Sequence, residues 1–442
     1  MVIACIDGCA AAPEGRESKA TVGKSHGREK PRHRFLPGSA NVRAAANESL
    51  GNATCPPIVQ LELLVLLSEP CAGSLWQAAL AESLPRSAIE DSESPLAYIN
   101  VGANKGYNIA EFLSIWTNKP VTNGVWHKHI KRFASEVKSA TLSTQAYVSC
   151  GVCGVCHAIT RPARPRAAKV VAHAFELLPQ NQRLLQYVTT ASGMGSVINV
   201  HPMAVSNHTG QMPFIKYPSS TYGKEGTALC ASAGSCALSS VAMRSWLRKT
   251  KATMITANIT TVDEFMRREA LREAFMVSID VEGFDPLVLE GMRQTIESKR
   301  VQIFEFEHGN KGFWREDKGA EQRTLRAMAE GWLSKAGYTC YWETYKGRLV
   351  PVLGKCWATA LLEQASPHTL HWSNVVCAHE RSTLDVFERH PVAAKPADVA
   401  EDYCWSRARN DRLNKQTAMN ACLQRIAPTV SSVECCLRTQ LP

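Results

Sequence analysis

The chain has 442 residues, 45% of them hydrophobic, a net charge of +10 and 16 cysteines. That length exceeds one typical domain and is enough to bury a full core. Its Lys and Arg residues are spread along the chain, which argues against a nucleic-acid module, and the most apolar run, residues 58–67, falls short of the ~20 residues that cross a bilayer.

Residues 1–55 are rich in Gly, Ala, Pro and charge, and disorder is expected there. Helical patterns broken by Pro70 and Pro85 make residues 56–95 a helical lead-in. A strand is expected over 96–101 and a helix over 107–116. A Cys-containing insertion, residues 118–168, comes next and ends in a basic stretch from Arg161 to Arg166. The pattern then gives a strand at 169–175, a helix at 179–189, and a strand at 196–200 followed by Ala204-Val205-Ser206. Residues 207–245 are turn-rich. A strand at 255–260 leads to a helix at 262–273, with Thr261 as its N-cap and acids in its first turn. Strands are expected at 275–280 and 301–307. A helix at 322–336 stops at Gly337, and late strands are expected at 338–344 and 356–362. The stretch from Trp372 to Cys377 reads as core or as a wall of the acceptor site. Residues 381–442 form a basic, Cys-containing extension with a helical stretch near 413–426. Alternating strands and helices mean an α/β fold, with a mostly parallel sheet and helices on both faces.

Two segments carry chemistry. Val101-Gly102-Ala103-Asn104-Lys105-Gly106 joins a strand to a helix, where glycines allow a tight turn and the helix offers unpaired N–H groups to a ligand. A dinucleotide loop would need a third glycine where Ile109 stands. In the second segment, Asp280 and Glu282 follow an apolar strand, at the end of the sheet where open α/β folds bind ligands. Glu176 ends another apolar strand, where a carboxylate can accept two ribose hydroxyls. Glu305, Glu307 and His308 end the strand expected beside that of Asp280. His308 titrates near neutral pH and is a candidate general base. Asp280, Glu282 and Glu307 could also hold a divalent cation.

Val-Gly-Ala-Asn-Lys-Gly at 101–106, Ile-Asp-Val-Glu-Gly at 279–283 and Phe-Glu-Phe-Glu at 304–307, in that order, resemble the FkbM-type methyltransferases. The resemblance runs over residues 95–380, with a domain at 96–380. It implies a Rossmann-like class I methyltransferase sheet and S-adenosylmethionine as cofactor. The acceptor implied is a hydroxyl of a sugar, glycan or small molecule. Cofactor contacts would fall to Val101, Gly102, Asn104, Gly106, Glu176, Ala204 and Asp280. Catalysis would fall to Asp280, Glu282, Glu307 and His308. Two other readings remain open, a methyltransferase fold kept only for binding and an NAD-dependent oxidoreductase.

Within the insertion, Cys150, Cys153, Cys156 and His157 have the spacing of a structural zinc site, with disulfides as the equal alternative. Asn-x-Ser/Thr sequons begin at Asn47, Asn52, Asn207 and Asn258, and their number alone decides nothing about secretion. Without a leader or a membrane span the compartment stays open, with the cytoplasm slightly favoured. No nucleic-acid partner is expected, and the oligomeric state is open.

Overall fold

The computed structural model describes residues 75–137, 166–216, 227–229, 253–309, 312–314, 324–343, 349–352 and 372–389, with positions 249, 251, 420 and 424 standing apart. The expectations for residues 1–74, for Cys150, Cys153, Cys156 and His157, for a strand at 356–362 and for the extension beyond 389 lie outside the described residues.

Buried apolar runs build the centre. Strand β1 (Leu96–Val101) and strand β8 (Ala274–Ile279) are apolar almost throughout and buried along their length, as parallel strands covered on both faces must be. They pair with each other, and β1 pairs on its other side with β2 (Val170–Phe175), which pairs with β3 (Ile198–His201). β8 pairs with β9 (Val301–Gly309), and all four pairings are parallel. Beyond β9 the sheet turns antiparallel through β12 (Trp372–Ala378), β10 (Thr339–Glu343) and β11 (Leu349–Pro351). The full order of the eight strands is β11-β10-β12-β9-β8-β1-β2-β3.

One core cluster joins this sheet to α1 (Leu75–Ser83), α3 (Tyr107–Trp116), α4 (Asn123–Val137) and α5 (Pro179–Ala191) through Trp76, Phe112, Trp126 and Leu184. The short helix α2 (Arg86–Glu90) follows α1. Buried Arg166 ties this lead-in down, donating to the Ala81 carbonyl (2.5 Å) and the Leu84 carbonyl. The second cluster joins the sheet to α6 (Val262–Arg268), α7 (Asp285–Glu290) and α8 (Arg293–Glu297) through Phe265, Leu289 and Ile296. The cap on α6 is as expected, since Thr261 Oγ1 accepts from the Glu264 N–H at 3.0 Å. The helix expected at 322–336 is shorter, α9 (Leu325–Met328) running into a π turn (Ala329–Leu333), with Gly337 left-handed beyond it. The last described helix is α10 (Arg381–Arg389).

The stretch expected to be turns holds a strand. β5 (Gly210–Lys216) pairs antiparallel along its whole length with β7 (Thr253–Thr260), in a second sheet with β4 (Ala204–Val205) and β6 (Thr227–Leu229). Gly210 and Pro213 read locally as turn residues, but pairing with β7 overrides that preference. A disulfide joins Cys340 to Cys377, neighbours across β10 and β12. Among the described residues no cysteine is free, and no helix is long and apolar enough to cross a membrane.

Three carboxyls are buried on the α3 side of the sheet: Glu111, Glu305 and Glu343. Ser278 Oγ donates to Glu305 (2.9 Å) and Trp76 Nε1 to Glu343 (2.5 Å). Burial first, and neighbouring carboxyls next, push Glu343 well above the usual carboxylate range. Burial likewise pushes Glu305 up to about 7, with Glu111 adding to the rise. A folded state with raised carboxyl pKa values holds protons that the unfolded chain has released. Stability therefore falls as pH climbs from the unfolded value of about 4.3 through about 7, at up to ~1.4 kcal/mol per pH unit per group. The thermal midpoint should be several degrees lower at pH 8 than at pH 5.5, and Glu305→Gln should flatten that slope. An unchanged slope in the variant would mean that Glu305 is ionised throughout.

Candidate active site

The carboxyl ends of β1, β2 and β8 are drawn together by their backbones. Gly102 and Ala103 donate to the Phe175 carbonyl (3.1 and 2.9 Å), and the Asp280 N–H donates to the Val101 carbonyl (2.9 Å). Gly102 is left-handed (φ 82°), and a Cβ there would lie 1.9 Å from the Asp280 carbonyl oxygen. This glycine therefore serves contact between two loops of the protein itself. Gly106 lets helices approach instead, since a Cβ would meet the side chains of Leu185 on α5 and Trp126 on α4 at 2.8 and 2.9 Å. It starts α3 from behind the loop and does not line the cleft.

The next turn fixes Glu176. The Asn104 N–H donates to Glu176 Oε2 (2.8 Å) and the Leu178 N–H to Oε1 (2.7 Å). Burial pushes this carboxyl up to about 7, while the Leu178 and Asn104 N–H groups, the Asn181 side chain and the Leu177 N–H pull it partway back.

Asp280 lies just past β8 and is exposed, whereas Glu282 is half-buried. The strand expected at 275–280 stops at Ile279, and a turn begins before Glu282. Glu282 and Gly283 are both left-handed (φ 59° and 89°). For a glutamate that conformation costs ~1–3 kcal/mol and persists only where its surroundings enforce it. Fully buried Asp285 does much of the enforcing: its carboxylate accepts from the Gly283 N–H (3.1 Å) and from the Glu307 N–H of β9 (3.2 Å). The Phe313 N–H closes the turn from the other side by donating to the Gly283 carbonyl (2.7 Å).

These three strand ends open onto a common cleft. Val101, Gly102, Asn104, Glu176, Asp280 and Glu282 line one side of it. Ala204 lines it too, with Met203 and with Phe214, which reaches in from β5 of the second sheet. Neither Glu307 nor His308 lines the cleft. Strand alternation sends Glu305 and Glu307 to one face of β9 and His308 to the other. His308 packs between the edges of Trp314 and Trp342 (ring centroids 4.7 and 5.2 Å), and burial pushes its pKa down to about 3. It is a neutral packing residue at physiological pH. Among the described residues no group of three or more His, Cys, Asp or Glu side chains could hold a metal ion. Sequence reasoning missed Phe214, which has no local signal, and Asp285. The Asp-Pro pair at the start of α7 is a helix-start signal that points to the latter.

Residues 153–340 match the family model of the methyltransferase FkbM domain. The matched stretch contains Glu176, Ala204, Asp280, Glu282, Glu307 and His308, and begins after the Gly102 loop, so it is narrower than the resemblance at 95–380. Among solved structures, the methyltransferase FkbM from Methylobacillus flagellatus KT is 13% identical with a TM-score of 0.32, over 71% of this chain and 59% of that one. The chain thus spans less than two thirds of that protein's length. An uncharacterised protein from Burkholderia thailandensis is 10% identical with a TM-score of 0.17, over 92% of this chain and 90% of its own. No curated protein matches the chain.

Proposed function

Because residues 153–340 match the family model of the methyltransferase FkbM domain, we propose an S-adenosylmethionine-dependent O-methyltransferase on a Rossmann-like class I sheet, acting on a hydroxyl of a sugar, glycan or small molecule. The observation that carries this reading is the meeting of the Gly102 loop, Glu176 and Asp280 in one cleft at the carboxyl edge of a mostly parallel sheet. Glu176 suits a ribose, because backbone N–H groups hold its carboxylate in place where it lines the cleft, and a carboxylate is a hydrogen-bond acceptor for hydroxyls. The loop from Gly102 to Asn104 faces the same space and suits the amino-acid end of the cofactor. Met203, Ala204 and Phe214 give the cleft an apolar wall suited to a base.

When bound, S-adenosylmethionine supplies a methyl group already activated by its sulfonium. The protein's work is then alignment and proton removal. Asp280 and Glu282 orient the acceptor hydroxyl, and Glu282 takes its proton as the new O–C bond forms and the C–S bond breaks. The chain uses neither Glu307 nor His308 for this step.

The test is a calorimetric titration with S-adenosylmethionine and, separately, NAD. Wild type should bind S-adenosylmethionine saturably. Its affinity should drop by up to about tenfold per pH unit below about 7, as Glu176 gains a proton. Glu176→Gln should bind roughly 10- to 100-fold more weakly, from the loss of charge-assisted hydrogen bonds, and should lose the pH dependence. A folded wild type that ignores S-adenosylmethionine would end this reading, and binding of NAD instead would move the protein to the oxidoreductases.

A further inference from the structure

The disulfide between Cys340 and Cys377 is enclosed, its residues only 2% and 0% exposed. Soluble thiols and oxidants cannot reach it once the sheet has closed. The bond must form while β10 and β12 come together, by exchange with a carrier disulfide: the Cys340–Cys377 S–S bond forms, the carrier S–S bond breaks, and the carrier leaves as its dithiol with the two electrons and two protons. Such carriers operate in oxidising compartments, whereas cytosolic thiols are kept reduced.

Two sequons fall within the described residues, and both asparagines are exposed. Asn207-His208-Thr209 follows β4. Asn258-Ile259-Thr260 lies on β7, where Asn258 pairs in register with Gln211 of β5. Phe214 on β5 points into the cleft, and Gln211 lies three residues before it, so Gln211 and Asn258 point to the opposite face. Asn258 Oδ1 accepts from Gln211 Nε2 (3.2 Å), which holds its amide on that outer face. Asn207 Nδ2 donates to Glu290 (2.8 Å), a bond that an N-substituted amide can keep with its remaining N–H. An exposed asparagine is by itself ordinary surface. The enclosed disulfide is the separate observation that points to a compartment where these tripeptides would be modified.

We propose that this chain matures in an oxidising compartment and that Asn207 and Asn258 carry N-linked glycans. The donor is an oligosaccharide on a lipid pyrophosphate. The sugar C1–N bond forms, the C1–O bond to pyrophosphate breaks, and the amide proton leaves with the pyrophosphate. Thr260 is buried in the fold, so transfer at Asn258 precedes the docking of β7. Asn258 faces away from the cleft, and the proposal stands apart from the methyltransferase reading.

The experiment takes the full chain from the cells that make it, with thiols blocked at lysis. The chain is treated with peptide-N-glycosidase in heavy-oxygen water and mapped by peptide mass spectrometry. Heavy-oxygen aspartate at positions 207 and 258, with the Cys340 and Cys377 peptides joined, is the expected result. Label at only one position upholds the compartment and assigns the glycan to that residue. Both peptides recovered with unlabelled asparagine overturn the proposal, whatever the state of the cysteines.

Discussion

Gly102→Ala loses the fold before it loses any ligand. The added Cβ would lie 1.9 Å from the Asp280 carbonyl oxygen, a backbone atom that cannot rotate away. The left-handed backbone at this position adds strain for any L side chain. Relief requires prising the β1 and β8 loops apart, which breaks the bond from the Asp280 N–H to Val101. The cost should be at least ~3 kcal/mol, or roughly 10 °C in thermal midpoint for a domain of this size. Gly195→Ala is the control, since nothing lies within 4 Å of a Cβ there and its φ is ordinary. Equal melting of the two variants would show that the loops do not touch as described. For this reason a bulky residue at 102 is a poor probe of cofactor binding, and Glu176→Gln is a better one.

Glu282→Gln should lower turnover by about a hundredfold to ten-thousandfold, the usual worth of a positioned general base. Its affinity for S-adenosylmethionine and its thermal midpoint should match wild type, because the change keeps shape and removes only charge. Glu282→Gly separates chemistry from strain. It should lose turnover equally yet melt higher, since glycine adopts φ 59° without penalty. The assay is transfer of labelled methyl from S-adenosylmethionine to a panel of glycans and hydroxylated metabolites. Full turnover in Glu282→Gln would hand the proton to Asp280 or to solvent.

How much of this could be read beforehand depended on how local the cause was. β1 and α3 lie where the pattern puts them because a buried apolar run followed by a glycine turn needs no distant partner. The acids at 176 and 280 were legible for the same reason, as each directly follows a strand of that kind. β5 was not, because Gly210 and Pro213 spell a turn until β7 is alongside. The role of Gly102 was visible only in part. The sequence says that a Cβ is unwelcome, but only the neighbouring strand says that the protein, and not a ligand, fills the space. His308 shows the reverse case. Period-two alternation already separates it from Glu307, and a strict reading of β9 would have set the two apart.

The position of β12 bears on how the chain assembles. β12 comes after β10 and β11 in sequence but lies between β9 and β10 in the sheet. β10 and β11 therefore have no edge of the main sheet to join until a later part of the chain has docked. The three strands must join as a late unit built from distant contacts, and pairing of that kind is slow. Until it is complete, β9 presents an open hydrogen-bonding edge, so the nascent protein passes through a form able to recruit a strand from another molecule.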